Sequence, residues 1–179
     1  MRRTLLASVL LVAGSGCASS QVELKEPFDP QEYATCPPRG TNVVAGSTFG
    51  RTKAGGIISA AGRTVHLDPW TKYLHKALYD VRQKQAKDGF FREEREADTV
   101  TLDPHMFKCR RNATVGMDGN FRFDGVAPGT YYLSTYMSWL NGSSWVGAWN
   151  VTMIHVHDGV PVPPVVLSGF HFPDPRTDR

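Results

Sequence analysis

The stretch from Thr114 to Trp139 constrains the fold of this chain more than any other segment. After a turn at Asp118-Gly119, Phe121 and Phe123 alternate with polar residues. Because successive side chains of a β-strand point to opposite faces, this alternation predicts a strand buried on one side. A second turn at Pro128-Gly129 leads into a longer strand, whose inward positions are predicted to be Tyr131, Leu133, Met137 and Trp139. The stretch therefore predicts two strands in the core of a β-sandwich.

These residues resemble the signature of carboxypeptidase regulatory-like domains, which are prealbumin-like β-sandwiches. The matching positions include the two phenylalanines and the run Val126, Gly129, Tyr131 and Leu133. An earlier stretch, from Gly56 to Tyr73, resembles the front half of the same domain. The resemblance covers about 45–168, with an interruption near 74–107. It implies an all-β, antiparallel prealbumin-like sandwich of about seven strands. It also implies an accessory or binding module, and it supplies no catalytic residues.

The N-terminus carries the features of an export signal. Arg2 and Arg3 precede the apolar run from Leu5 to Ala13. A helix of this length spans only about 14 Å, whereas a hydrocarbon core is roughly 30 Å thick, so the run is too short to cross a membrane. It is therefore predicted to be a signal peptide.

The residues that end this signal resemble a bacterial lipobox, in which a cysteine after small residues receives a lipid. Gly14-Ser15-Gly16 precedes Cys17, and Ala18 follows it, which in the sorting rules for lipoproteins implies the outer membrane. Lipoboxes usually carry leucine where this chain has Gly14. Ordinary signal-peptide cleavage near this point is therefore an open alternative.

The predicted organisation has one folded domain. The signal peptide covers 1–16, a proline-rich tether 17–42, the sandwich 43–169 and a tail 170–179. Prolines in the tether deny both helix and central strand. Within the sandwich, an insertion is expected near 70–98. There, apolar residues between Trp70 and Lys87 recur close to helical spacing, which predicts an amphipathic helix or an irregular crossover.

Beyond Cys17 the chain has two cysteines, Cys36 and Cys109. Export implies an oxidising compartment, where two leftover thiols tend to pair, so a disulfide between them is predicted. The alternative is two separate reduced thiols. A catalytic C-x-x-C pair is excluded by their spacing, and three cysteines are too few for a four-cysteine zinc site.

Charge and motifs argue against several classes of function. The formal net charge of +3 falls to +1 once Arg2 and Arg3 are removed (3 − 2 = 1), which is too little for a nucleic-acid-binding patch. The chain contains no G-x-S-x-G nucleophile elbow and no phosphate-binding P-loop. We therefore expect a protein that is not an enzyme and that needs no cofactor.

Three tryptophans, Trp139, Trp145 and Trp149, lie close together around a hairpin turn expected at Asn141-Gly142. Aromatic rings on a rigid sheet stack on sugar faces, so these residues form a candidate ligand-binding surface. Large aromatic residues also fill hydrophobic cores effectively, and we favour core packing for them.

Three histidines, His155, His157 and His171, provide candidate metal ligands. His155 and His157 alternate with Ile154 and Val156, however, which is typical of the solvent face of an ordinary strand. We therefore predict no metal site.

The sequence favours a lipid-anchored, non-catalytic sandwich domain of the bacterial envelope, facing the periplasm or the cell surface. Its partners are expected to be the membrane, through the N-terminal lipid, and an unknown envelope protein or glycan. The alternative is a carbohydrate-binding module that uses the surface tryptophans.

Overall fold

The computed structural model of this chain describes residues 24, 26–52, 55–78, 91–93, 102–141 and 144–171. These residues form ten strands and one short helix. The strands are β1 (Asn42–Arg51), β2 (Ile57–Ser59), β3 (Thr64–Pro69), β4 (Phe91–Glu93), β5 (Arg111–Thr114), β6 (Asn120–Val126), β7 (Gly129–Asn141), β8 (Ser144–Val156), β9 (Val165–Leu167) and β10 (Phe170–His171). Helix α1 covers Lys72–His75, and 3₁₀ helices cover Pro30–Tyr33 and Pro104–Phe107.

The strands form two sheets. The smaller sheet has the order β2-β1-β6, with β9 also paired to β1, and the larger sheet has the order β10-β8-β7-β3-β5, with β4 also paired to β8. Pairings are antiparallel except β9 with β1 and β10 with β8. The predicted all-β sandwich is confirmed, with ten strands in the described part of the chain rather than about seven.

The main core lies between the two sheets, and the stretch that organised the prediction supplies much of it. Phe121 and Phe123 are buried, whereas Asn120, Arg122 and Asp124 are exposed. The next strand buries its predicted inward positions Tyr131, Leu133 and Met137 in the same cluster, and Trp139 packs against it half-buried. Burying each large apolar side chain contributes roughly 1.5–3 kcal/mol, so this alternation is a principal source of stability.

A second apolar cluster covers the outer face of the larger sheet. Tyr132 and Val151 contribute to it from the sheet, Tyr73 and Leu74 from α1, and Tyr33 from the N-terminal segment. The sheet is therefore buried on both faces in this region. An antiparallel sheet can leave one face in water, so the additional layer is a specific feature of this chain.

The segment predicted as a free tether contributes to this outer layer from Leu24 onward. Glu32 accepts hydrogen bonds from the backbone nitrogens of Lys72 (3.0 Å) and Tyr73 (3.2 Å). Tyr33 is buried, its hydroxyl lies 2.5 Å from Oγ1 of Thr71, and burial raises the pKa of that hydroxyl to about 12. Prolines exclude regular helix and central strand here, but they do not prevent docking. Leu24 and residues 26–41 are thus part of the folded domain, and residues 17–23 and 25 of the predicted tether lie outside the described part.

The predicted insertion begins as expected, and its residues 79–90 and 94–98 lie outside the described part of the chain. Thr71 caps α1 by accepting a hydrogen bond from the Leu74 nitrogen at 3.1 Å, so the helix begins just after Trp70. Strand β4, also within the insertion, pairs with β8. The sheet also extends through β10 into the predicted tail. Among the described residues, no helix is long and apolar enough to cross a membrane.

Candidate functional site

The structure separates the tryptophans that the sequence grouped. Trp139 packs half-buried against the main core, whereas Trp149 packs against the second cluster on the outer face of the larger sheet. Trp149 pairs across the hairpin with Tyr136, and the two ring centroids lie 5.2 Å apart. Trp145 pairs with Leu140, and its side chain lies outside the described part. Trp139 and Trp149 therefore do not share one binding surface.

The candidate metal ligands do not converge in the described part of the chain. His155 and His157 are exposed, and Nδ1 of His155 lies 2.9 Å from Oγ1 of Thr130. The side chain of His171 lies outside the described residues. Among the residues described, no group of three histidine, cysteine, aspartate or glutamate side chains is arranged to hold a metal ion.

Cys36 and Cys109 are joined by a disulfide, the pairing that the sequence predicts, with their Cα atoms 5.2 Å apart. The bridge ties the N-terminal segment to the chain between the second 3₁₀ helix and β5. Nζ of Lys108 adds a hydrogen bond of 3.3 Å to the Ala34 carbonyl beside it. Cys17, the predicted lipidation site, lies outside the described residues.

An open groove of about 740 Å³ crosses the outer face of the smaller sheet and reaches strand β5 of the larger sheet. We call it the small-sheet groove. Its floor includes the small residues Ala45 and Ser47 of β1, which alternate with the buried Val44 and Thr48, and the glycine between them, Gly46. The other lining residues are Asn112, Ala113, Thr114, Gly116, Asp118, Asn120, Phe121, Arg122, Pro164, Val165 and Val166. This volume is within the usual range of ligand sites.

One wall of the groove is set by Asn112. Its Oδ1 lies 2.8 Å from Nδ1 of His66, and because an amide oxygen only accepts, His66 must donate. Burial lowers the pKa of His66, and the nearby Arg110 acts in the same direction, so its ring is neutral at pH 7 with the proton on Nδ1. This bond orients the amide of Asn112, which is one of the lining residues of the groove.

The turn before β6 offers hydrogen-bond acceptors to the groove. Asp118 accepts hydrogen bonds from the Asn120 backbone nitrogen at 3.0 Å and from Asn120 Nδ2 at 2.7 Å. These bonds lower the pKa of Asp118, so its carboxylate is ionised at neutral pH. Because Nδ2 of Asn120 is engaged, its Oδ1 is the acceptor available to a ligand. The groove therefore presents donors and acceptors, held by local bonds, above a floor without bulky side chains.

A second surface involves an aromatic residue that the sequence analysis did not single out. Trp70 is 44% exposed at the end of β3, and its ring centroid lies 5.9 Å from that of His75. Its backbone nitrogen donates to the Thr130 carbonyl at 2.9 Å, and Thr130 pairs with His155 across the next strand. We call these three residues, Trp70, Thr130 and His155, the Trp70 row. The sequence feature that could have drawn attention to Trp70 is its position just after Pro69, where a strand ends.

The chain is similar to a solved structure whose fold can be compared with this one. That structure is a "putative carbohydrate binding protein" from Pseudomonas aeruginosa, with a TM-score of 0.65 and 27% sequence identity. The similarity covers 80% of this chain and 98% of the other. No family model matches the chain, and no curated protein matches it. The two proteins thus resemble each other over most of the length of each chain.

Proposed function

We propose that this domain is a non-catalytic carbohydrate-binding module and that its glycan lies in the small-sheet groove. The proposal rests on one observation: the groove walls offer both hydrogen-bond donors and hydrogen-bond acceptors. Asn112 offers an amide donor, and Asn120 and Asp118 offer acceptors. Each sugar hydroxyl both donates and accepts, so it needs partners of both kinds. The floor of small residues leaves room for the ring.

Two further facts support this assignment. The Pseudomonas aeruginosa protein of similar fold is described as a "putative carbohydrate binding protein". The resemblance to carboxypeptidase regulatory-like domains implies an accessory module rather than a catalyst. The groove replaces the tryptophan platform as the favoured glycan site, because Trp139 packs against the main core.

Filling the groove tests the proposal. Ala45 lies on the groove floor, and tyrosine is well tolerated in strands, so Ala45→Tyr should block the groove without unfolding the sheet. The matched control is Val43→Tyr, two residues earlier on the same strand and outside the groove lining. The probes are maltohexaose and chitohexaose, one plain and one N-acetylated.

Calorimetric titration should show binding of at least one probe by the wild type and by the Val43 variant. The Ala45 variant should lose about tenfold or more in affinity, equivalent to about 1.4 kcal/mol. Equal affinities for the two tyrosine variants would exclude the groove as the site. Absence of binding by the wild type, repeated on a broad glycan array, would exclude the function.

We also propose that the module is held at the bacterial outer membrane by a lipid on Cys17. The lipobox-like residues before Cys17 and the alanine after it support this localisation. Radiolabelled palmitate should be incorporated into the wild type and not into Cys17→Ser. Unlabelled protein released into the periplasm or the medium would instead indicate ordinary signal cleavage.

A further inference from the structure

We infer that the Trp70 row is a second sugar-contact surface, so that one domain can hold two glycan chains. This inference rests on the proposed carbohydrate-binding function and extends it to bridging. It starts from the exposure of Trp70, a residue that is 44% exposed. A single exposed aromatic residue is common on protein surfaces, so the argument depends on how this one is held.

The indole of Trp70 lies beside a hydrogen-bonded pair formed by Tyr132 and His75. Tyr132 is completely buried, burial raises its pKa far above the ordinary value, and its oxygen lies 2.5 Å from Nδ1 of His75. The ring of His75 also lies against the indole, with centroids 5.9 Å apart. A ring fixed in this way loses little conformational entropy when a ligand stacks on it.

Hydrogen-bonding groups lie beside the indole along the same row. Trp70 is bonded to Thr130, and Thr130 pairs with His155 on the next strand. Neighbouring strands are about 4.8 Å apart, so the row extends over about 10 Å. Nδ1 of His155 contacts the Thr130 hydroxyl, which leaves Nε2 of this exposed ring for a ligand. A pyranose has an apolar face for an aromatic ring and hydroxyls at its rim, and the row offers both kinds of contact.

The groove floor and the Trp70 row belong to different sheets. The floor of the small-sheet groove is the outer face of β1, whereas the Trp70 row lies on the outer face of β3, β7 and β8. The main core separates these sheets. A sugar ring in the groove therefore leaves the Trp70 row accessible to a second chain. Two such sites on one rigid body give avidity for a polysaccharide surface that exceeds the affinity of either site.

The test separates the second site from the first. Maltohexaose and chitohexaose are titrated into the wild type, Ala45→Tyr, Trp70→Ala and the double variant, with each fold checked by thermal unfolding. Leu140→Ala is the control, because it removes another exposed apolar side chain from the same sheet. Should Trp70→Ala unfold, Trp70→Phe combined with His155→Ala replaces it.

We expect Ala45→Tyr to retain residual binding that disappears when Trp70→Ala is added. Beads coated with the bound hexasaccharide should be cross-linked by the wild type and by Leu140→Ala, and by neither single-site variant. Complete loss of binding in Ala45→Tyr alone, or unchanged cross-linking by Trp70→Ala, would overturn the second site while leaving the groove intact. Absence of any glycan binding by the wild type would overturn the proposed function and this inference together.

Discussion

Arg110 holds Asp68 through two parallel hydrogen bonds, from Nε to Oδ1 at 2.8 Å and from Nη2 to Oδ2 at 2.7 Å. The Asp68 side chain is only 3% exposed and that of Arg110 19%. The guanidinium also lies 4.0 Å from the ring centroid of Phe107. This pair fastens the chain after Cys109 to strand β3 in the larger sheet.

Replacing Arg110 should be costly, because it leaves the buried carboxylate of Asp68 without its partner. We expect Arg110→Ala to lower the free energy of unfolding by roughly 3 kcal/mol, the usual cost of breaking a buried pair. Urea denaturation measures this change in the free energy of unfolding. Arg122→Ala is the control, since its pair with Asp124 is largely exposed and should contribute less than about 1 kcal/mol. Equal losses in the two variants would show that the buried pair has no special role.

The disulfide should stabilise the domain and keep its N-terminal segment docked. It closes a loop of 74 residues, counting both cysteines (73 + 1). Loop-closure entropy gives it about 4 kcal/mol. We expect the double variant Cys36→Ser/Cys109→Ser to lose stability of this order in urea. Limited proteolysis should then cleave this variant within residues 26–40. If the variant resists cleavage, the contacts of Glu32 and Tyr33 are sufficient to hold the segment without the disulfide.

His66 should make stability fall on mild acidification. Burial lowers its pKa in the folded domain below the ordinary value of 6.5. Between the folded pKa and 6.5, the unfolded chain therefore binds more protons, and the free energy of unfolding decreases as the pH is lowered through this window. Below the folded pKa the decrease ends.

Ring titration by NMR should give His66 a midpoint below 6.5. In Asn112→Ala the midpoint should fall further, because the hydrogen bond that His66 donates to Asn112 raises the pKa. His66→Gln should remove this part of the pH dependence of stability. A midpoint at or above 6.5 would contradict the assigned burial.

The sequence predicted the sandwich because local alternation alone marks Phe121, Phe123 and Leu133 as inward. It grouped Trp139 with Trp149 because they are close in the sequence. The strand register, however, places them on opposite faces of the sheet. Asn141 pairs with Ser144, so Trp149 pairs with Tyr136, whose side alternates with that of Trp139.

Other features depend on contacts between distant parts of the chain. The groove needs β9 beside β1 in parallel, with Gly46 next to Val165, and 119 residues separate these two positions (165 − 46). A Cβ at Gly46 would lie 2.0 Å from the Val165 carbonyl oxygen, so the close approach needs glycine. Docking of the N-terminal segment likewise depends on Glu32 reaching the start of α1. Neither contact leaves a periodic signal in the sequence.

The most direct measurement is an amide NMR titration of the wild-type domain with maltohexaose and chitohexaose. If the small-sheet groove binds glycan, the largest shifts will fall on Ser47, Asn112, Asn120 and Arg122, with the side-chain amide of Asn112 among them. Shifts absent at saturating sugar, or confined to residues away from both the groove and the Trp70 row, would contradict the account.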